Sequence, residues 1–408
     1  MQRRQIVVVG GGLAGTATAL GFAEAGFDTL LAAPPAPEDK RSSAILGRSL
    51  AFLAELGIIE ALQDRQAPLA VMRIVDDTGR LFRAPTVEFR ASEIGLTAFG
   101  INALNADLAA ALGACTGRSD RLEIRELKAT DLTLEEDRAV VTLEDGTEIG
   151  ADLVVAADGR RSPMREAAGI KAREWRYPQT AIVLNFDHTI DHNAVSTEFH
   201  TRTGPFTQVP LPGRRSSLVW VEEPKLAELY IDLKPEKLGQ TIAEKMHWIL
   251  GDVTIDGPIA RYPLGGAKVE RLTDRRLALV GEAGHAFPPI GAQGLNLGLR
   301  DAEALIRLVG ESRDDPGSRV TMRRYEAARR SDISSRTAGV DMLNRSLLMD
   351  FLPVQAARSG GLTAMSLVPP LRQFAMREGL VPGAGLTGLP RSVRKWIGGD
   401  HAGRDHVE

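Results

Sequence analysis

Ile6 to Val9 form an unbroken β-branched run, and glycines follow at 10, 12 and 15. A run of this kind predicts a strand buried on both faces, as in a parallel sheet covered by helices. The stretch "QIVVVGGGLAGTATALGFAEAGFDTLLAA" then reads as strand, turn, helix and second strand. Gly10 suits the tight turn, Gly12 a close backbone approach by a pyrophosphate, and Gly15 the packing of the helix on the strand. The context that gives the GxGxxG spacing its meaning is present, so a dinucleotide-binding α/β unit is expected. Such units usually place an acid for a ribose hydroxyl at the end of the second strand. Ala33 stands there, which leaves Glu38 or Asp39 in the following loop as substitutes.

Two later segments repeat the pattern. "ADLVVAADGRRSPMREAAGI" gives a strand ending in Asp158-Gly159, with Ser162 and Arg165 at DGxxSxxR spacing. "RRLALVGEAGHAFPP" gives a third strand ending at Gly281, with Glu282 placed to accept hydrogen bonds from a polyol chain. Beyond it, Pro288 and Pro289 fix φ, and Gly291 and Gly294 admit conformations closed to other residues. Leu295, Leu299 and Ala302 follow at helical spacing, with Asn296 as the expected cap. Backbone amides at such a helix start attract negative charge. Ends of parallel strands meet on one edge of a sheet, so one long cofactor touching all three turns is the economical expectation.

The other segments bound the function. Net charge is −3, with no basic block to suggest nucleic acid. The single cysteine, Cys115, excludes an internal disulfide and fits a reducing compartment. No apolar run is long enough to span a bilayer, and no signal-peptide core precedes the first strand, so cytoplasmic delivery is expected. His188, His192 and His200 lie in strand-like sequence with Asp187 and Asp191. Alternation sends neighbouring side chains to opposite faces, so no metal site is expected there. His285 is assigned a structural hydrogen bond inside its turn. Residues 71–99 and 175–265 read as short strands of an antiparallel substrate sheet. Trp220, Phe206 and Pro210 are candidates for substrate contact there, with core packing the favoured alternative. The tail is helical, and Leu371, Phe374 and Met376 beside Arg372 and Arg377 suggest either a membrane-surface face or packing on the body.

GxGxxG at 10–15, DGxxSxxR at 158–165 and G-E-A-x-H-x-x-x-P-x-x-x-Q-G-L-N at 281–296 together resemble the single-component FAD-dependent aromatic hydroxylases, the group with the para-hydroxybenzoate hydroxylase fold. "DKRSSAILGRSLAFLAELGI", "EIGLTAFGIN" and "RTAGVDMLNRSLLMDFLPVQAAR" narrow the likeness to the ubiquinone-biosynthesis hydroxylases in their alphaproteobacterial form. The resemblance covers roughly residues 5 to 380. It implies a doubly wound FAD-binding domain in three parts (1–70, 100–174 and 266–325). Between them lie an antiparallel substrate domain (71–99 and 175–265) and, last, a C-terminal helical region (326–408). It further implies that Gly10, Gly12, Leu13, Ala14 and Gly15 surround the FAD pyrophosphate, and that Arg41 and Asn105 contact the cofactor. Asp158 would serve both FAD and NAD(P)H. Gly281 and Glu282 would hold the ribityl chain, and Pro289, Gly291, Gly294, Leu295 and Asn296 would lie against the isoalloxazine. Ala33, Asn105 and Glu282 depart from the commonest pattern of that family. The implied reaction hydroxylates the ring of a polyprenyl phenol with O2 through a flavin hydroperoxide, with no protein nucleophile. Rival readings are a monooxygenase for a soluble aromatic, and a silent flavin-binding scaffold of a quinone-synthesis complex.

Overall fold

The computed structural model describes residues 2–35, 39–80, 83–287, 293–348, 352–381 and 383–397, with backbone alone at 293, 338–341, 343, 345–348 and 352–358. Five parallel strands form its first layer: β1 (Gln2–Val9), β2 (Thr29–Ala32), β3 (Leu122–Arg125), β4 (Glu148–Ala156) and β5 (Leu277–Leu279), in the spatial order β5-β4-β1-β2-β3. Ile6, Val7, Val8 and Leu153 to Ala156 are fully buried, as continuous apolar runs covered on both faces must be. Each large aliphatic buried this way contributes about 1.5–3 kcal/mol. The crossover from β1 to β2 is helix α1 (Leu13–Glu24), whose small residues allow close approach. At Gly21 an added Cβ would lie 2.5 Å from Ile306 of a later helix.

A second sheet has eight strands, built from Val71–Asp76, Val87–Arg90, Ala172–His188, Val195–His200, Pro205–Leu211, Arg215–Glu222, Val253–Val269 and His285–Ala286. Alternation gives it two distinct faces. Ile182, Leu184, Phe206, Leu218 and Trp220 pack outward with Leu238 and Ile242 from the covering helices Pro224–Ile231 and Pro235–Lys245. Phe206 and Trp220 are fully buried there, ring centroids 5.5 Å apart, and the buried Pro210 gives its carbonyl to Asn102. Phe206 and Trp220 are thus packed in the core, the alternative favoured for them, and Pro210 is buried with them. The opposite face carries Val183, Asn185, Ser217 and Val219. Asn185 donates to the Lys40 carbonyl (3.0 Å) and Ser217 bonds Ser42 (2.6 Å), so this face looks onto the start of the strand Ser42–Leu46, part of a separate three-stranded sheet.

The strands Ala172–His188 and Val253–Val269 run across the expected boundaries at 174 and 265. Helices α2 (Asn105–Thr116) and α3 (Gln293–Gly310) both pack on α1. The long α4 (Arg319–Leu348) crosses the boundary at 325 without a break. Near its start, buried Tyr325 donates to the Leu279 carbonyl at the end of β5 (2.8 Å). Further along, Asn344 exchanges amide hydrogen bonds with Gln179 of the substrate sheet (2.9 and 3.3 Å). Helices α5 (Leu352–Leu367) and α6 (Pro369–Leu380) follow. The tail's expected apolar face divides. Met376 is buried in the body, whereas Leu371 and Phe374 stay exposed. Among the described residues, no helix is long and apolar enough to cross a membrane.

Candidate functional site

Register brings the three glycine turns together. Val9 pairs with Ala156, and Ala156 with Leu279, so β1, β4 and β5 end side by side. Gly10 has φ +112°, and a Cβ there would lie 2.3 Å from the Ala157 carbonyl oxygen. At Gly15 a Cβ would lie 2.0 Å from the Gly10 carbonyl oxygen. Gly12 is different. It caps α1 with extended backbone, and a Cβ there meets no protein atom within 4 Å. The first two glycines are thus demanded by the fold, while the third leaves open the space in front of unpaired helix-start amides. A phosphate fits that space. We expect Gly12→Ala to fold with stability within about 0.5 kcal/mol of wild type. It should bind FAD at least about tenfold more weakly, a loss of about 1.4 kcal/mol. Thermal melting and flavin fluorescence titration check the two halves separately.

The second turn is bolted to the third. Ser162 caps the helix Pro163–Ala167 by accepting from the Arg165 amide (2.9 Å), and the buried Arg165 guanidinium donates to the Arg160 and Ala283 carbonyls (2.9 and 3.1 Å). Asp158 accepts from the Met164 amide through one oxygen, and its other oxygen is buried without a partner. Burial raises the Asp158 carboxyl above its usual range despite the Ser162 and Met164 hydrogen bonds. That acceptor fits a polar ligand group placed against the turn. Gly281 (φ +62°) comes close to Ala14 of α1 and to Gly298 of α3. Leu13, Ala14 and Gly281 therefore border the same edge.

A second cluster forms where residue 39 meets α2. Asp39 accepts from Arg41 (2.8 and 2.6 Å) and from Asn105 (2.8 Å), and Asn105 accepts from Ser43 (2.7 Å). Burial works against the Asp39 charge, but Arg41 and Asn105 hold its carboxyl below the usual range. Arg41 lies over the Tyr262 ring (5.3 Å to the centroid), and its own value is raised first by Asp39 and further by the field of Tyr262 and Glu282. The Asp39–Arg41 pair is half-exposed and worth about 1 kcal/mol or less, so its consequence is orientation rather than stability. Of the two loop acids offered in place of Ala33, Asp39 is committed to this cluster, and Glu38 lies outside the described residues. Ala33 directs its methyl at Gly11. Glu282 is exposed beside the third turn.

Pro289 and Gly291 lie outside the described residues, whereas Gly294, Leu295 and Asn296 fall in the first turn of α3. Asn296 is not its cap. Its side chain reaches the neighbouring strand Ser42–Leu46, accepting from the Leu46 amide (2.9 Å) and donating to the Ala44 carbonyl (2.7 Å). Ser49 holds its carbonyl (2.9 Å). The helix start is thereby fixed against the strand that leads from Arg41.

Behind α3 lies a charge network the motifs do not announce. Asp301 is fully buried and accepts from the Gly281 amide (3.0 Å), from His285 (2.6 Å) and from Arg329 (2.7 Å). Arg329 also pairs with Asp332, which takes Arg300 and Arg336 as well. Burial lowers Arg300 to about 10. His285 thus makes the expected structural hydrogen bond, but to α3 rather than within its own turn. The available signal was Asp301 itself, an acid on the apolar stripe Leu297, Leu305 and Leu308. His188, His192 and His200 bond separately to Ser216, the Leu211 carbonyl and Glu198. Among the described residues, no three potential metal ligands converge.

Residues 3–337 match the FAD binding domain family, and the chain belongs to it. It is 35% identical over 386 residues to the ubiquinone hydroxylase UbiL of Rhodospirillum rubrum, covering 92% of this chain and 89% of that one. It is 29% identical to the 3-demethoxyubiquinol 3-hydroxylase of Escherichia coli, over 93% and 99%. Among solved structures, p-nitrophenol 4-monooxygenase PnpA from Pseudomonas putida superposes with a TM-score of 0.76 at 19% identity, covering 96% of this chain and all of that one. The monooxygenase PieE, solved with FAD and substrate, gives 0.70 at 17% identity, over 94% and 73%. These two likenesses concern the fold.

Proposed function

We propose that the protein is an NAD(P)H- and O2-dependent FAD monooxygenase that adds one hydroxyl to the aromatic ring of a polyprenyl phenol in ubiquinone biosynthesis. The observation that carries the reading is the side-by-side ending of β1, β4 and β5, each in a glycine turn, with Asp158 and Glu282 supplying acids at the second and third. The relatives supply the substrate class. In this reading the amides of Gly12, Leu13, Ala14 and Gly15 at the start of α1 would hold the pyrophosphate, while Gly10, whose own amide is given to the Ala32 carbonyl (2.9 Å), makes the turn beneath it. Arg41 and Asn105, oriented by Asp39, hold the phosphate and ribose side. Asp158 offers its unpaired oxygen, and Gly281 and Glu282 receive the ribityl hydroxyls. The amides of Gly294, Leu295 and Asn296 face the ring's electron-rich edge and stabilise negative charge there. When bound, FAD supplies the electrons that activate oxygen; the chain binds, orients and excludes water.

The enzyme meets its lipid substrate without crossing the membrane, from a peripheral position. Purified holoprotein, NADH and a short-chain prenyl phenol under ¹⁸O2 should yield product carrying one heavy oxygen on the ring. Flavin-loaded protein that neither oxidises NADH nor yields labelled product would sink the proposal and favour the silent-scaffold alternative.

A further inference from the structure

We infer that the corner between α5 and α6, together with the last described helix, forms a docking surface for an anionic lipid bilayer. Leu367, Val368, Pro369, Pro370 and Leu371 are consecutive, apolar and all exposed, with Leu367 at 73%. Phe374 lies one turn on, and against it packs the segment that carries Leu386, 90% exposed. Ordinary protein surface scatters single apolar side chains, whereas a contiguous run marks a contact site. The corner is also stiff. Two prolines open α6, and Arg372 donates to the Met365 and Ser366 carbonyls (3.0 and 3.1 Å) while pairing with Glu93 (2.8 Å). A pre-formed corner loses little freedom on contact.

Charge identifies the occupant. Residues 352–397 carry six basic side chains and one acidic, on a chain of net charge −3, and of the six Arg372 is answered by Glu93. The acid, Glu378, is taken up by the Gly383 and Gly385 amides. Helix Arg391–Ile397 buries Val393 and Ile397 and exposes Arg391, Arg394 and Lys395. One segment ties both elements, because the Ile397 carbonyl accepts from Thr97, four residues beyond the Glu93 that pairs with Arg372. An apolar corner beside a cationic row matches insertion among acyl chains under anionic headgroups. A second copy docking through the same patch would set these cations against their own kind. The surface also adjoins the site, since the core that takes Met376 and Leu380 has Phe89, Met72 and Leu295 packed half-buried upon it. The inference leans on the prenyl-phenol reading only for its purpose.

Flotation of the full chain with substrate-free vesicles tests it. The protein should rise with equal parts phosphatidylcholine and phosphatidylglycerol, and not with phosphatidylcholine alone. Leu367→Asp with Leu371→Asp should cut binding at least tenfold, and Arg391→Glu with Arg394→Glu by at least fivefold, with unchanged melting and FAD content. The charge variant keeps the test alive should the apolar variant misfold. Wild type that never floats, floats equally on neutral vesicles, or is matched by both variants overturns the inference. So does a dimer, seen by light scattering, that Leu371→Asp dissolves without any vesicle binding. None of these results touches ring hydroxylation of a short-chain substrate, so the two readings fail separately.

Discussion

Gly10→Ala should yield protein that has lost FAD and melts about 5–10 °C lower than wild type. The new methyl would stand 2.3 Å from the Ala157 oxygen and 2.8 Å from the Asp158 Cα, both backbone atoms that cannot swing aside. The φ of +112° adds strain that no L side chain relieves. Overpacking and backbone strain of this kind each cost about 1–3 kcal/mol. Relief requires β1 and β4 to part at their ends, which separates the first turn from the Asp158 turn. Affinity for FAD should then fall by about a hundredfold or more, or 2.7 kcal/mol. Gly12→Ala is the matched control, because it subtracts ligand space without moving the strands. A yellow Gly10→Ala protein with wild-type melting would mean that the two turns are not in contact as described.

Asp301→Ala should destabilise the fold by about 3–5 kcal/mol, the cost of leaving buried cations unanswered. It deprives Arg329, His285 and the Gly281 amide of one shared acceptor. Asp301→Asn keeps the shape and one acceptor, so it should be milder, and its cost should shrink in acid. Burial opposes the charge on Asp301, but His285 and Arg329 prevail and hold its carboxyl below the usual value; Asp332 behaves likewise with Arg300 and Arg329. A folded-state value below the unfolded one gives stability that is present above about pH 4 and lost as pH falls through the folded value. Urea unfolding between neutral pH and about pH 3 should show wild type losing stability steeply and Asp301→Asn more gently. Parallel curves would remove Asp301 from the acid response.

What the chain disclosed in advance follows from distance. The three turns were legible because each is local, a short apolar strand followed at once by glycine, with an acid at the second and third, and the topology of parallel strands does the rest. Asn296 was misassigned because its partners, the Leu46 amide and Ala44 carbonyl, lie some 250 positions away, beyond the reach of any capping pattern. Trp220 and Phe206 could not be placed from alternation alone, which says that two faces exist but not which one the covering helices take. Asp301 did leave a trace on an otherwise apolar stripe. Its partners come from a turn 16 residues earlier and from a separate helix, so only the folded chain reveals a network. Asp39, Arg41 and Asn105 likewise meet across 66 positions.

Helix α4 has a mechanical meaning. It is fastened near one end by the Tyr325 hydroxyl to the tip of β5, and further along by the Asn344–Gln179 amide pair to the substrate sheet. Nineteen residues of α-helix separate these bolts, a strut of about 28 Å. A rod of that stiffness sets the gap between the two layers much as a spacer sets the jaws of a clamp. Widening that gap means snapping the amide pair or bending the rod.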